Sequence, residues 1–134
     1  MIIHVLGTAQ DGGYPHSGCY KECCSSVWDS PELHRLPTSI ATIDQTQNKF
    51  YLFDITPNIK QQLHRLKDYN CELAGIFITH AHIGHYLGLM DLGLEIMNTN
   101  NIPVYIMPKM KNFILNNQPM TQLIENNNIR LIEL

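Results

Sequence analysis

The sequence predicts an α/β fold. Two observations predict it: β-rich runs alternate with helical patterns over the second half of the chain, and two strand-like runs around a polar turn precede them. A chain of 134 residues has room for only one hydrophobic core. We therefore expect residues 1–134 to form a single domain or the truncated N-terminal half of one.

The first half of the chain predicts three strands and one long loop. Residues 1–8 are β-rich, and residues 39–43 and 49–55 flank a polar turn, which is typical of a β-hairpin. Residues 9–37, rich in glycine and proline, read as a long loop, and long loops in compact domains are usually functional. Thr56 is a suitable helix N-cap, with Pro57 at the first helical position.

The second half predicts alternating strands and helices. Residues 73–78 form an apolar run typical of a buried strand. Residues 86–97 are apolar almost all round, which predicts a helix buried against the sheet, with Gly88 and Gly93 allowing close approach. A strand over 102–107, a helix over 109–116 and a strand over 129–134 follow. Because the sequence stops inside this last strand, we expect it to be truncated.

Composition narrows the partners and the compartment. The net charge of -3 provides no basic field, so neither nucleic acid nor an anionic membrane surface is an expected partner. No apolar run approaches the roughly 20 residues that cross a membrane, and the N-terminus does not resemble a signal peptide. Three cysteines within six residues favour metal ligation or redox chemistry over disulfides. We expect a cytoplasmic protein, although a leader upstream of Met1 is not excluded.

Three histidines directly after the buried strand are the strongest functional signal. His80 and His82 are two residues apart, so both rings point the same way in an extended segment, and His85 lies at the start of the next helix. Loops at the carboxyl ends of strands are where ligand sites form in α/β sheets. Neutral imidazole binds Zn²⁺, Fe and Mn²⁺. The alternative is that the histidines cap the helix and bond to backbone carbonyls.

A second cluster lies in the long loop. Cys19, Cys23 and Cys24 provide three thiols, and three thiolates with one imidazole are an accepted set of ligands for structural zinc. His16 is the expected fourth ligand, with His34 as the alternative. Metal binding would also stabilise a loop that has little core of its own. Free buried thiols or a redox pair are the other interpretations.

The run Thr79–Leu89 resembles the H-x-H-x-D-H motif of the metallo-β-lactamase superfamily. The resemblance extends to residues 5–8, to the hairpin and to residues 52–57. Residues 7–24 are most similar to pyrroloquinoline-quinone biosynthesis protein B and its relatives, whose glycine-rich loop also leads into a cysteine cluster. The resemblance implies the N-terminal half of an αββα sandwich, with a mixed sheet and flanking helices.

The resemblance also implies roles for particular residues. His80 and His82 would bind one metal ion, and His85 would help to bind a second. The motif's aspartate is Gly84 here, which puts the usual two-metal chemistry in doubt. The superfamily's remaining ligands come from a C-terminal half, and no histidine follows His85 in this sequence. We therefore expect that a C-terminal half or a partner chain completes the fold, because half of the sandwich would expose an apolar sheet face.

The expected function is metal-dependent hydrolysis of a small molecule, an ester, lactone or phosphodiester, although the 134-residue piece alone is expected to be inactive. Zinc is the expected metal, with one or two ions at the histidines and one at the cysteines; iron or manganese is the alternative. A metal-dependent oxidation of the cofactor-biosynthesis type and a non-catalytic scaffold remain open. No catalytic residue is assigned.

Two aspartates are expected near the histidines. Asp11 follows the first strand and so lies on the side of the metal loop, although a turn-forming Asp-Gly pair explains it almost as well. Asp54 ends a strand and is expected to bond to the histidine loop and orient its ligands.

Overall fold

The computed structural model describes residues 1–134 and is built around one six-stranded sheet. The strands are β1 (Ile2–Gly7), β2 (Ser39–Asp44), β3 (Lys49–Phe53), β4 (Glu72–Phe77), β5 (Ile102–Ile106) and β6 (Ile129–Glu133). They are adjacent in the sheet in chain order. The pairs β1–β2 and β2–β3 are antiparallel, and the pairs from β3 to β6 are parallel. The predicted α/β class and mixed sheet are confirmed.

Four of the five helices connect the parallel strands, and the first lies between β1 and β2. The helices are α1 (Glu22–Ser25), α2 (Ile59–His64), α3 (Ile83–Tyr86), α4 (Pro108–Leu115) and α5 (Gln118–Glu125), and 3₁₀ turns cover Pro31–Leu33, Lys67–Tyr69 and Leu87–Leu92. Inward-facing strand residues such as Leu52, Ile76 and Val104 are fully buried and form one core cluster with helical residues such as Ile59 and Ile114. No helix is long and apolar enough to cross a membrane.

Helix boundaries depart from the sequence-based prediction in two places. Thr56 is not the N-cap of α2: the helix begins at Ile59 after Asn58, and the Thr56 hydroxyl instead accepts the Asn58 N–H at 3.1 Å in the preceding turn. The long helix predicted over 86–97 is also wrong. It is replaced by α3 and a 3₁₀ turn that ends at Leu92, and Leu94 and Ile96 are exposed.

Two further elements were not anticipated. The chain between 9 and 37 is largely a loop, as predicted, but it contains the four-residue helix α1. Helix α5 lies where the sequence pattern predicted neither a helix nor a strand. Its buried residues Met120 and Leu123 belong to the core cluster, so packing against the rest of the core accounts for a helix that begins with only polar residues and a proline.

The other side of the sheet carries an apolar row that runs across all six strands. The residues opposite one another in register are Val5, Ile40, Phe53, Phe77, Tyr105 and Ile132. The rings of Phe53, Phe77 and Tyr105 stack, with centroids 4.9 Å and 4.5 Å apart. We call this row the open sheet face, because Val5 is 53% exposed and Ile40 is 37% exposed. An apolar face of this kind was expected from half of a two-layer sandwich.

Candidate metal centre

The histidine loop lies where two parallel strands end side by side. Strands β3 and β4 are paired in parallel, so Asp54, which follows β3, lies beside Thr79, which follows β4. The backbone is extended at His82, directly before α3 begins at Ile83. His80 and His82 are exposed and His85 is partly buried. The predicted position of the loop, after a buried strand and before a helix, is confirmed.

The buried carboxylate of Asp54 contacts both ends of the histidine loop, at Thr79 and at His85. Its residue is 6% exposed, and its Oδ1 accepts the Thr79 backbone N–H at 2.8 Å. Its Oδ2 lies 2.7 Å from the Nδ1 of His85. The Thr79 hydroxyl lies 2.9 Å from both carboxylate oxygens. Asp54 has a φ of 64°, a left-handed conformation that aspartate adopts more readily than most residues.

These contacts fix which ring nitrogens remain available. The Asp54 carboxylate only accepts, so His85 donates to it from Nδ1, and in the neutral ring the lone pair is on Nε2. The Thr79 hydroxyl gives its one proton to Asp54, so at 2.8 Å it accepts from the Nδ1 of His80. His80 also presents the Nε2 lone pair. Both imidazoles are therefore held in the tautomer that binds a metal through Nε2.

His80 lies close to each of the other two rings. The Nε2 of His80 is 3.0 Å from the Nδ1 of His82. The centroids of the His80 and His85 rings are 4.1 Å apart. Two nitrogens each about 2.0 to 2.1 Å from one tetrahedral ion are about 3.3 to 3.4 Å apart, so the His80 and His82 nitrogens would separate slightly on binding one ion. None of the three rings is hydrogen-bonded to a backbone carbonyl, so the capping interpretation does not describe this loop.

Asp11 approaches the same loop from the far end of the chain. Its Oδ2 accepts the backbone N–H of Gly84 at 3.3 Å, and its Oδ1 lies 3.4 Å from the Nε2 of His85. With Gln10, Gly12, His16 and His82 it lines a polar cleft of about 350 Å³. A larger cavity, of about 760 Å³, lies at the opposite ends of β3 and β4 and contains none of these groups. Chemistry rather than size therefore identifies the candidate site.

Thr79 is a residue of the candidate site that was not predicted from the sequence. It joins Asp54 to the Nδ1 of His80, so it transmits the orientation of the carboxylate to the first histidine. A threonine immediately before the histidines was visible in the sequence. Its role was not, because the distance to Asp54 depends on how β3 and β4 pair.

The three thiols of the cysteine cluster converge. The Sγ of Cys23 is 3.9 Å from that of Cys19 and 3.9 Å from that of Cys24, and all three sulfurs lie within 4.8 Å of one another. Sulfurs bound to one tetrahedral zinc ion at about 2.3 Å are about 3.8 Å apart. The indole of Trp28 donates to the carbonyl of Cys19 at 2.8 Å, and the Tyr14 hydroxyl donates to that of Cys23 at 3.0 Å. The loop holds the thiols in a geometry that suits zinc.

Two of these thiols differ in acidity. The backbone N–H of Lys21 and the thiol of Cys24 lower the pKa of Cys19. The pKa of Cys24 is raised: the backbone N–H of His16 lowers it, but the Cys19 thiol, burial and Cys23 together outweigh that effect. Cys19 is therefore the thiol that ionises before Cys24 and is the more readily available ligand or nucleophile of the two.

The two candidate fourth ligands have other contacts. The Nδ1 of His16 lies 3.0 Å from the carbonyl oxygen of Ser17, and its ring lies over Gly12 beside the cleft that His82 lines. The Nε2 of His34 lies 3.0 Å from the carbonyl oxygen of Val27. The structure therefore brings together the three thiols but neither imidazole with them.

Comparison with known proteins finds relatives in sequence. No family model matches the chain. Coenzyme PQQ synthesis protein B of Klebsiella pneumoniae is 29% identical over 101 residues, which are 69% of this chain and 32% of that protein. The corresponding protein of Rhodopseudomonas palustris is 26% identical over 100 residues, again 69% of this chain and 32% of the relative. The chain thus spans about a third of the length of these curated relatives.

Solved structures give a similar result. The Zn²⁺-bound PqqB from Methylobacterium extorquens superposes with a TM-score of 0.81 at 20% identity, over 98% of this chain and 48% of that one. A diphosphatase from the PhnP family gives 0.71 at 26% identity, over 98% of this chain and 50% of that one. The short form of human tRNase Z gives 0.57 at 20% identity, over 98% and 44% of the two chains.

The chain therefore has the metallo-β-lactamase fold and matches about half of it. Its sequence is similar to coenzyme PQQ synthesis protein B. The predicted resemblance, both to the superfamily and to its N-terminal half, is confirmed.

Proposed function

We propose that this chain carries the first metal-binding half of a metal-dependent hydrolase. The observation that carries the proposal is the orientation of two histidines by Asp54, directly at His85 and through Thr79 at His80. It leaves the Nε2 of His80 beside His82 and the Nε2 of His85 beside Asp11. A loop whose histidines served only the fold would have no need of a buried carboxylate that sets two tautomers at once.

The donor set suits a divalent metal of borderline softness. Neutral imidazoles with outer carboxylate partners are the usual ligands of catalytic zinc, and they also suit Fe and Mn. When bound, such an ion supplies a Lewis acid and lowers the pKa of a coordinated water towards about 7. His80 and His82 would hold it, and His85 would help to hold a second ion. Zinc is our proposal, since the similar PqqB from Methylobacterium extorquens is Zn²⁺-bound.

The contribution of the protein is orientation and proton placement. Asp54 keeps the proton of His85 on Nδ1, and the Thr79 hydroxyl keeps that of His80 on Nδ1, so neither ring has to change tautomer when it binds. The polar cleft beside His82 and Asp11 gives a small substrate access to the exposed side of the loop. An ester, lactone or phosphodiester fits, and the 26% identity with a diphosphatase supports testing phosphoryl substrates first.

A second, structural zinc ion is proposed at Cys19, Cys23 and Cys24. The sulfur distances of 3.9 Å support it, and the lowered pKa of Cys19 favours the thiolate form that a metal ligand requires. His16 or His34 would complete the tetrahedron after a change of side-chain conformation.

The complete site requires more protein. The open sheet face and the match to about half of each solved structure support a C-terminal half or partner chain that packs on this sheet. We therefore expect activity in the completed protein and little or none in these 134 residues alone.

The test combines metal content with a hydrolysis screen. Protein purified without added metal or chelator is analysed by mass spectrometry as wild type, His80→Ala and Cys23→Ala, with His64→Ala as the control on an exposed position of α2. We expect His80→Ala and Cys23→Ala each to lose a different ion, and His64→Ala to lose none.

His82→Ala should then abolish hydrolysis by the completed protein while its circular dichroism spectrum stays unchanged. A fully active His82→Ala variant would refute the hydrolase proposal. Loss of metal only in Cys23→Ala would favour the alternative of a scaffold that keeps a structural zinc and no catalytic metal. Turnover that consumes an oxidant in place of water would favour the metal-dependent oxidation.

A further inference from the structure

The space that a side chain at position 84 would occupy is already filled by a carboxylate. A Cβ built on Gly84 would lie 2.4 Å from the Cγ of Asp11 and 2.7 Å from its Oδ1. These distances are far inside contact, so no side chain fits at position 84 while Asp11 is there. Asp11 therefore brings an acidic group, from 73 residues away, to the place that the resembling motif reserves for its own aspartate.

Asp11 is held in that place by the turn on which it sits. The N–H of Gly13 donates to the carbonyl of Gln10 at 2.8 Å and closes a turn with Asp11 at its second position. Ahead of the turn, Ala9 pairs with Pro37, which ties the loop to the start of β2. On the other side, the Gly84 N–H donates to the Oδ2 of Asp11 at 3.3 Å. The Asp-Gly turn that was the competing interpretation of this residue is thus present, and it positions the carboxylate.

The other carboxylate oxygen faces a lone pair. A neutral His85 that donates to Asp54 from Nδ1 has an unprotonated Nε2, and this atom lies 3.4 Å from the Oδ1 of Asp11. Two acceptors that face each other repel unless a cation lies between them. Two ligand atoms, each about 2.1 Å from one tetrahedral ion, are about 3.4 Å apart. The observed separation matches that of two ligand atoms on one ion, and a plain imidazolium–carboxylate pair is the alternative that the test below distinguishes.

We propose that Asp11 is a metal ligand that replaces the missing carboxylate of residue 84 and forms, with His85, a second cation site beside that of His80 and His82. The ion is a divalent metal that accepts mixed nitrogen and oxygen ligands, such as zinc. The proposal rests on the proposed function, since it assumes metal binding at the histidine loop. Gly84 has no side chain to bind a second ion, and in this proposal Asp11 supplies the carboxylate from another part of the chain.

The test is to remove the carboxylate and then to move it. Asp11→Asn keeps an oxygen that can accept the Gly84 N–H but has no charge. The double variant Asp11→Gly with Gly84→Asp empties the space and returns a carboxylate to position 84. Asp29→Asn, an exposed aspartate of the same loop with no ion-pair partner, is the matched control. Zinc stoichiometry and affinity are measured in the completed protein by dialysis and mass spectrometry, with circular dichroism as the folding control.

We expect Asp11→Asn to bind one zinc equivalent fewer than wild type, or to bind its last equivalent more than about tenfold more weakly. Removing a hydrogen-bond partner of a metal ligand already lowers metal affinity by at least about tenfold, and removing a ligand should lower it further. The double variant should recover that equivalent, and Asp29→Asn should not lose it. Cobalt in place of zinc gives an independent readout, since loss of an oxygen ligand changes its visible spectrum.

The outcomes separate the two proposals. If His80→Ala loses metal but Asp11→Asn binds as wild type does, Asp11 and His85 form only an ion pair and the inference is overturned while the proposed function stands. If Asp11→Asn loses metal and a folded double variant does not recover it, the replacement of residue 84 is overturned. If neither His80→Ala nor Asp11→Asn changes the metal content, both proposals fail.

Discussion

Replacing Asp54 with asparagine tests the central structural claim, that one buried carboxylate orients two metal-binding rings. Asparagine is the informative choice because, like aspartate, it tolerates the left-handed φ of 64° found here, so the backbone is not strained by the change. Its carbonyl oxygen can still accept the Thr79 N–H, now 2.8 Å from Oδ1. What changes is the group that faces His85.

The magnitude follows from the lost contacts. The bond from Nδ1 of His85 to Oδ2 of Asp54 is 2.7 Å long and involves a charged acceptor, a class worth about 1.5 to 3 kcal/mol. In the variant an amide –NH₂ faces that nitrogen, which forces the ring proton to Nε2 and removes the outward lone pair. We expect the free energy of unfolding to fall by about 2 kcal/mol. The metal affinity should fall about 10- to 100-fold, the range for outer partners of ligating histidines.

Two measurements check this expectation. Urea unfolding gives the loss of stability, and competition with a zinc chelator gives the loss of affinity. Asp68→Asn is the control, because Asp68 is exposed on the 3₁₀ turn after α2 and has no ion-pair partner. We expect both quantities to be unchanged in that variant, within about 0.5 kcal/mol for stability.

The reasoning would be refuted by an Asp54→Asn variant that binds zinc as tightly as the wild type. The tautomer of His85 would then not depend on Asp54. A loss of stability without any loss of affinity would show that the carboxylate stabilises the loop but does not orient the ligands.

Two further predictions concern other parts of the chain. The pKa of Cys19 is lowered, so in metal-free protein its thiolate forms below the pH of roughly 8.5 at which a free cysteine ionises, whereas the pKa of Cys24 is raised. Iodoacetamide should therefore modify Cys19 at lower pH than Cys24, and zinc should protect both. Equal modification of the two thiols would contradict the assigned acidities. On the open sheet face, Val5→Lys should reduce the binding of an apolar fluorescent dye to the 134-residue chain. The free energy of unfolding should change by less than about 0.5 kcal/mol, since Val5 is 53% exposed. Unchanged dye binding would mean that the dye binds another surface.

The sequence predicted most strands because each is encoded locally. Hairpin residues such as Thr42 and Tyr51 stand in register as the two β-rich runs and their polar turn indicated. It predicted the wrong length for the helix after the histidines, because an apolar run specifies burial but not where burial ends. Gly88 shows the reason: a Cβ there would lie 2.2 Å from the carbonyl oxygen of Thr56, so this segment packs backbone against backbone and continues as a 3₁₀ turn.

The candidate site divides in the same way. The spacing of His80, His82 and His85 and the grouping of the cysteines are local facts, and the sequence alone was enough to nominate them as metal ligands. Only the tertiary structure decided what faces their second nitrogens. The pairing of β3 with β4 brings Asp54 to His85, and the turn after β1 brings Asp11 into the space above Gly84. Such contacts join residues 31 and 73 positions apart, and no local pattern specifies them, because they depend on the register of the sheet and the path of a loop.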